Sequence, residues 1–376
     1  LIPLSVPDLR GREAEYVAEC VRANWVSSAG PAVGEFETRI AALCGRRHAV
    51  ATTNGTVALH LALILAGVRP GDYVLLPDWT FAATANAVYH AGATPVLADI
   101  TAESWTLDPE LVADTLAGFS EGRIAAVIAV HALGHPAHMD PLADACRRFG
   151  VPLIEDAAGA IGARYGGRAA GSLGDASMLS FNGNKVVTTG GGGMVLTDHP
   201  EWAERARSLS TQARNGDRYR YTEVGFNYRM PNVNAVLGIA QIERLPAMLE
   251  AKRRIAAAYD RALAGRPDLR PMPRCPWANS NHWLYSVRCG SPADAVSLTE
   301  HLRHAGVEAR VFWEALSEQP PYGSAPRRLT GVAAGISGRV VSLPSSSSLS
   351  ESEQAQVVDA VAGWQGATAM APAQAR

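Results

Sequence analysis

Across its first 200 residues the chain alternates short apolar runs with helical patterns, and this rhythm limits the possible folds more than any other feature. RHAVATT, DYVLLP, ATPVLADI, RIAAVIAV and VPLIEDAA read as strands, and TVALHLALILAG, TANAVYHAG and MDPLADACRRFG as helices between them. Apolar strands that each feed a helix predict an α/β fold whose mostly parallel sheet is covered on both faces. Two closely spaced strands follow, DASMLSF and GMVLTD. The stretch TQARNGDRYRYTEVGFNYRM then breaks the rhythm with polar, Gly and Tyr residues, and reads as a long loop of the kind that carries function. A long helical stretch begins at NVNAVLGIAQ, with a kink or interruption expected near Pro246. The remainder reads as a smaller α/β unit. The expected organisation is a large domain over 1–246, N-terminal segment included, a small C-terminal domain over 247–365, and a loose tail over 366–376.

Composition narrows the function classes. With 376 residues, 47% of them apolar, and a formal net charge of -2, the chain has a core to bury and no basic field for nucleic acid or an anionic membrane surface. An anionic ligand must therefore be held by local groups. No run approaches the roughly 20 apolar residues of a membrane helix. The five cysteines show no CxxC pairing, so neither a disulfide framework nor a zinc ribbon is expected. The opening LIPLSVPDLRGRE lacks a basic region followed by an apolar one, and the expected location is cytoplasmic.

Lysine is scarce: among the 34 basic residues it occurs only at Lys185 and Lys252. Lys252, in EAKRRIAAAYD, reads as part of a solvated helical face. Lys185 sits in SFNGNKVVTTGGGGMV, between an apolar strand and a glycine run, without an acidic neighbour. An amine that must become neutral to attack a carbonyl can be lysine but not arginine. Lys185 is therefore the candidate Schiff-base residue, an ordinary structural lysine being the other reading.

Three strand ends could join it, since open α/β sheets bind ligands where strands give way to helix N-termini. In TTNGTVALHLAL, Asn54, Gly55 and Thr56 can cradle a phosphate, or form a plain N-cap turn. In VPLIEDAAGAIG, Glu155 and Asp156 close a strand, one facing the crevice and the other across the pleat. An aspartate there can hold a protonated ring nitrogen, or serve as a cap or ion pair. In SFNGNK, the Ser180 hydroxyl shares a turn with Lys185, and Phe81 in PDWTFAATANAV can stack on a ring. Pyridoxal phosphate asks for these groups together: an amine for its aldehyde, an anion for its ring nitrogen, donors for its phosphate and a flat apolar side chain.

Other features are weaker. His131, His135 and His138 in HALGHPAH are spaced like metal ligands but come without a carboxylate or cysteine set, so no metal is expected. TGGGGM precedes a strand rather than a helix, which disfavours a dinucleotide-binding oxidoreductase. Trp25, Ser27 and Ser28 in NWVSSAG, with Tyr228 and Arg229 in NYRM, could line a substrate site, Arg229 being suited to a diphosphate; ordinary packing is the alternative.

The segments IPLSVPDLRGRE, NWVSSAGPAVGEFE, TNGTVALHLAL, PDWTFAATANAVYHAGATPVLADI, VHALGHPAHMDPL, IEDAAGAIGARYGGRAAGSLGDASMLSFNGNKVVTTGGGGMV and GFNYRMPNVNAVLGIAQ together resemble the DegT/DnrJ/StrS sugar aminotransferases. The resemblance spans essentially the whole chain. It implies an aspartate aminotransferase-like fold of type I, with a mostly parallel seven-stranded sheet and a smaller C-terminal α/β domain. It also implies that Lys185 carries pyridoxal 5'-phosphate, Asp156 partners the ring nitrogen, Phe81 stacks on the ring, and Gly55, Thr56 and Ser180 bind the phosphate. Asn227 is implied to reach the phosphate of a neighbouring subunit's cofactor, hence a homodimer with shared sites. The implied reaction moves an amino group, from L-glutamate, to a nucleotide-linked keto sugar, and the lysine loop looks most like the branch that aminates 4-keto-6-deoxy sugars of the legionaminic-acid or perosamine type. Gly159 departs from the family pattern, where many relatives carry Gln, His or Glu. A cyclitol ketone as acceptor and a catalytically idle sugar-nucleotide-binding homologue are the competing readings.

Overall fold

The computed structural model describes residues 1–215, 219–221 and 223–366. Its main sheet runs in the order His48–Thr52, Gly193–Thr197, Ala176–Ser180, Leu153–Asp156, Ile124–Val130, Tyr73–Pro77, Thr94–Ala98 and Arg327–Arg328. Only Gly193–Thr197 runs against its neighbours. The sheet thus has eight strands where seven were expected. The eighth comes from the C-terminal part: Arg327–Arg328 lies parallel to Leu97–Ala98, and the carbonyls of Pro326 and Arg328 accept the N–H groups of Leu97 and Asp99, which the edge strand otherwise leaves unpaired.

Pleating sends alternate side chains into different cores. Ala49 and Ala51 enter one apolar cluster and Val50 another, while Ile124–Val130 is buried at every position. A sheet covered on both faces leaves only its strand ends free to build a site.

The second sheet is antiparallel, in the order Leu269–Pro271, Tyr285–Cys289, Val340–Leu343, Arg310–Phe312. Helix Pro292–His304 packs on it, and Glu351–Gly363 packs against that helix and shares the same core. The N-terminal segment reaches this unit as well: Ile2 bridges Val307 and is buried in the same core.

Joining the two units is a 32-residue helix, Asn232–Leu263. It runs through Pro246 without the expected interruption. Its Ala235, Ile239, Leu245 and Met248 belong to one core and its Ile255, Ala256, Tyr259 and Leu263 to the other, so packing from both sides offsets the hydrogen bond that proline cannot donate. Lys252 corrects the sequence reading. It is only 3% exposed, and its Nζ donates to the carbonyls of Trp283 (3.1 Å) and Ser345 (2.5 Å), residues far from it in sequence.

No helix among the described residues is long and apolar enough to cross a membrane. The five cysteines are free and buried. The expected tail falls, from residue 367 onward, outside the described residues, as do 216–218 and 222 of the long loop.

Candidate active site

The carboxyl ends of the parallel strands face one cavity of about 350 Å³. After His48–Thr52 come Asn54, Gly55 and Thr56; after Tyr73–Pro77 come Thr80, Phe81 and Thr84. His131 follows Ile124–Val130, Asp156 ends Leu153–Asp156, and Ser180, Asn182, Asn184 and Lys185 follow Ala176–Ser180. Trp283, Phe312 and Trp313 from the C-terminal unit complete the wall.

Asn54 caps the helix Gly55–Leu65 by accepting the Val57 N–H at 3.0 Å, and the helix's first two residues, Gly55 and Thr56, line the cavity. Gly55 and Ser180 pack so closely that a Cβ on Gly55 would lie 2.9 Å from the Ser180 Cβ. Helix N-terminus and hydroxyl thus meet at one point, the arrangement that binds a phosphate.

Asp156 is 6% exposed. Its carboxylate accepts the Thr84 hydroxyl at 2.8 Å and the Ala158 N–H at 3.2 Å. Burial raises its pKa, against the opposing pull of those donors and of the Lys185 charge. A carboxylate enclosed in this way is stabilised by any cation brought to the cavity.

Lys185 hangs from a turn closed by its own N–H and the Asn182 carbonyl (3.0 Å). It keeps partial exposure because it lines the cavity, yet burial of its amine lowers the pKa to about 7, opposed by the charge of Asp156. Near neutrality such an amine has a substantial free-base fraction and can act as a nucleophile or exchange a proton.

Glu155 points across the pleat. Its carboxylate is fully buried and accepts from Gly171 N (2.8 Å), Leu173 N (2.5 Å), Gly174 N (2.8 Å), the Ser177 hydroxyl (2.7 Å) and His131 Nε2 (2.9 Å). Burial raises its pKa, but the hydrogen bond and charge of His131, with Arg46 and Ser177, outweigh that and hold it down to about 2. Because the folded pKa lies below the ordinary 4.5, this group contributes stability that is complete above about 4.5 and lost as pH falls towards about 2. Glu155→Ala leaves several buried donors unpaired and is expected to cost about 3–5 kcal/mol in urea unfolding at pH 7. The deficit should shrink on acidification; a variant as stable as the parent refutes the assignment.

Phe81 stands at the mouth, 60% exposed. Asn227, Trp25, Ser27, Tyr228 and Arg229 do not line this cavity in the single chain. Asn227 is exposed and bridges Thr211. The carbonyls of Trp25 and Ser27 accept from Asn232, which pins the N-terminal segment to the long helix. The Tyr228 hydroxyl lies 3.2 Å from His60 Nδ1. The Arg229 guanidinium is 2.5 Å from the buried carboxylate of Glu37, which Arg207 also contacts. The three histidines go separate ways. His131 bonds Glu155, His135 accepts the Cys275 N–H at 3.4 Å, and His138 stacks on Trp277 at 4.0 Å.

Trp283, Phe312 and Trp313 were not singled out from the sequence. Nothing local marks them, since they come from beyond the long helix; the one available signal was Gly159, whose missing side chain leaves room that Trp283 fills.

Comparison with known proteins agrees over nearly the full length. The chain is 38% identical over 366 residues to a GDP-perosamine synthase of Caulobacter vibrioides, covering 96% of this chain and 97% of that protein. Among solved structures it resembles DesV of S. venezuelae, seen in complex with a ketimine intermediate, at 33% identity and a TM-score of 0.88, covering 96% of this chain and 98% of that one. DesI, solved in the presence of its TDP-sugar product, is 33% identical with a TM-score of 0.86 and coverage of 96% and 92%. Residues 7–362 match the DegT/DnrJ/EryC1/StrS aminotransferase family, and the chain belongs to that family, whose cofactor is pyridoxal phosphate.

Proposed function

We propose that this aminotransferase moves an amino group, from L-glutamate, to the keto carbon of a nucleotide-linked 4-keto-6-deoxy sugar. The observation that carries the reading is the meeting, in one cavity, of an amine near neutral pKa, an enclosed carboxylate and a helix N-terminus. These residues fit pyridoxal phosphate by their chemistry. Gly55, whose close approach to Ser180 leaves no room for a Cβ, gives with Thr56 and Ser180 a cradle for the phosphate. Asp156 has the charge to hold a protonated ring nitrogen, Phe81 has a face for the ring, and Lys185 is within the same cavity for the aldehyde. When bound, the cofactor supplies a carbonyl that accepts the amino group and a ring that takes up the electrons released at the neighbouring carbon.

The chain's own residues do the rest. Lys185 would hold the cofactor through its Nζ, and that same Nζ, when free, would move a proton as general base and then acid. Asp156 keeps the ring nitrogen charged, and Thr84 fixes the carboxylate for that purpose. Trp283, Phe312, Trp313 and Leu133 exclude water and offer apolar faces suited to the methyl of a 6-deoxy sugar. The cavity opens beside Phe81, where the nucleotide part of the substrate would extend outwards.

A second copy would fit at that opening. Phe81 is exposed at the mouth, and Asn227 is exposed and turned to none of its own chain's cavity. We carry over the homodimer on this ground, with Asn227 reaching the partner's cofactor.

The support from relatives is that proteins so closely similar carry the names of a GDP-perosamine synthase and an enzyme solved with its TDP-sugar product. The test is mass spectrometry of products from a panel of keto sugar nucleotides and cyclitol ketones, with glutamate as donor. The expected result is an amino sugar nucleotide formed in preference to any aminocyclitol. Amination of cyclitols alone, or no change in the visible spectrum on adding glutamate, overturns the proposal.

A further inference from the structure

The two lysines of the chain lie on either side of a single tryptophan. Lys185 Nζ sits 3.4 Å from the centroid of the Trp283 ring, and Lys252 Nζ donates to the Trp283 carbonyl at 3.1 Å. The indole is held from every side. Its N–H donates to the Asn184 carbonyl at 2.8 Å, within the lysine loop itself. The Trp283 backbone N–H donates to Asn281 Oδ1 at 2.9 Å, and the Asn281 amide donates to the carbonyls of Gly159 (2.8 Å) and Ile161 (2.9 Å). The ring is 6% exposed and lies on Gly159 so tightly that a Cβ there would be 2.4 Å from an indole carbon.

We propose that Trp283 is a positioning residue for Lys185, its indole face being the resting place of the Lys185 amine whenever that amine is not bonded to the cofactor, and that Gly159 supplies the room for it. The inference rests on Lys185 being the lysine that carries the cofactor. The two lysines differ in their partners. Lys252 is held by two carbonyls, whereas among the described residues the Lys185 amine takes up no hydrogen bond. A carbonyl pair would lock the amine away from the reaction, and open solvent would leave a four-carbon chain free to sample many rotamers. A π face does neither. It attracts the amine in its charged form, accepts weakly from its N–H bonds, and releases it without a strong bond to break. Tethering the indole N–H to Asn184 fixes ring and lysine loop to one another, so the amine rests beside the site of proton transfer rather than searching for it. Any side chain at 159 would have to displace this ring, since even a Cβ would meet it at 2.4 Å.

The test exploits the scarcity of lysine. With lysine labelled with carbon-13 at Cε, the enzyme loaded with pyridoxamine phosphate gives two lysine signals, and that of Lys185 is the one missing from Lys185→Ala. The indole ring current is expected to shift the Lys185 ε-methylene protons upfield. The shift should disappear in Trp283→Leu, persist in reduced form in Trp283→Phe, and disappear again in Gly159→Ala, which displaces the ring without changing it. In stopped flow, the first-order rate of the glutamate half-reaction should fall by about tenfold in Trp283→Leu, with the KM for glutamate nearly unchanged. A Lys185 signal that is unshifted in the parent, or equally shifted in Trp283→Leu, overturns the proposal. The same samples separate it from the functional reading: a cofactor adduct on Lys185 without a ring-current shift sinks only the role of Trp283, while a shift without an adduct sinks the aminotransferase assignment of Lys185.

Discussion

Lys185→Ala is expected to lower turnover by about 10⁴-fold or more, because it removes both the covalent holder of the cofactor and the group that shuttles the proton, and proton shuttling alone is worth about 10²–10⁴-fold. The fold should survive, since among the described residues the Lys185 amine forms no hydrogen bond whose loss leaves a partner stranded; its contact is the Trp283 ring. Circular dichroism and a saturating-substrate assay on the same sample separate these outcomes. Turnover within tenfold of the parent contradicts the role. The amine also sets a pH dependence. Its pKa, lowered by burial to about 7, means that the free base is lost as pH falls through that value. The step in which Lys185 accepts a proton should therefore slow on the acid side of about 7, and this limb should be absent from the residual activity of Lys185→Ala.

Asp156→Asn is the second large effect. An amide keeps the shape and can still accept the Thr84 hydroxyl, but it cannot hold a positive ring nitrogen, so a loss of about 10³-fold in the proton-transfer half-reaction is expected. Cofactor binding should weaken far less, because the phosphate cradle proposed at Gly55, Thr56 and Ser180 is untouched. Equilibrium titration of pyridoxal phosphate against the variant, beside single-turnover rates with glutamate, tests the split. A variant that loses cofactor affinity and rate in equal measure indicates a purely structural aspartate.

What the sequence made legible follows from how locally each feature is encoded. Apolar strands, glycine-ended helices and the N-cap at Asn54 are written in consecutive residues, and each lies where its pattern places it. The cavity residues Asn54, Gly55, Thr56, Phe81, Asp156, Ser180 and Lys185 could be named because parallel topology brings strand ends together whatever the loops between them. Lys252 could not be read correctly: its partners are the carbonyls of Trp283 and Ser345, supplied by distant backbone, while the surrounding EAKRR suggests solvent on all sides. Trp283 and Trp313 were silent for the same reason. The eighth strand was missed because a two-residue segment carries no periodicity to detect. The pairing of Arg229 with Glu37, a carboxylate from a distant helix, was likewise beyond local sequence.

The most direct test of the account is the fate of the two lysines under borohydride. Reduction of the purified yellow enzyme, followed by proteolysis and mass spectrometry, is expected to show a phosphopyridoxyl group on the peptide containing Lys185 and none on that containing Lys252. A label on Lys252, or a reduced enzyme whose lysine peptides are both unmodified, contradicts it.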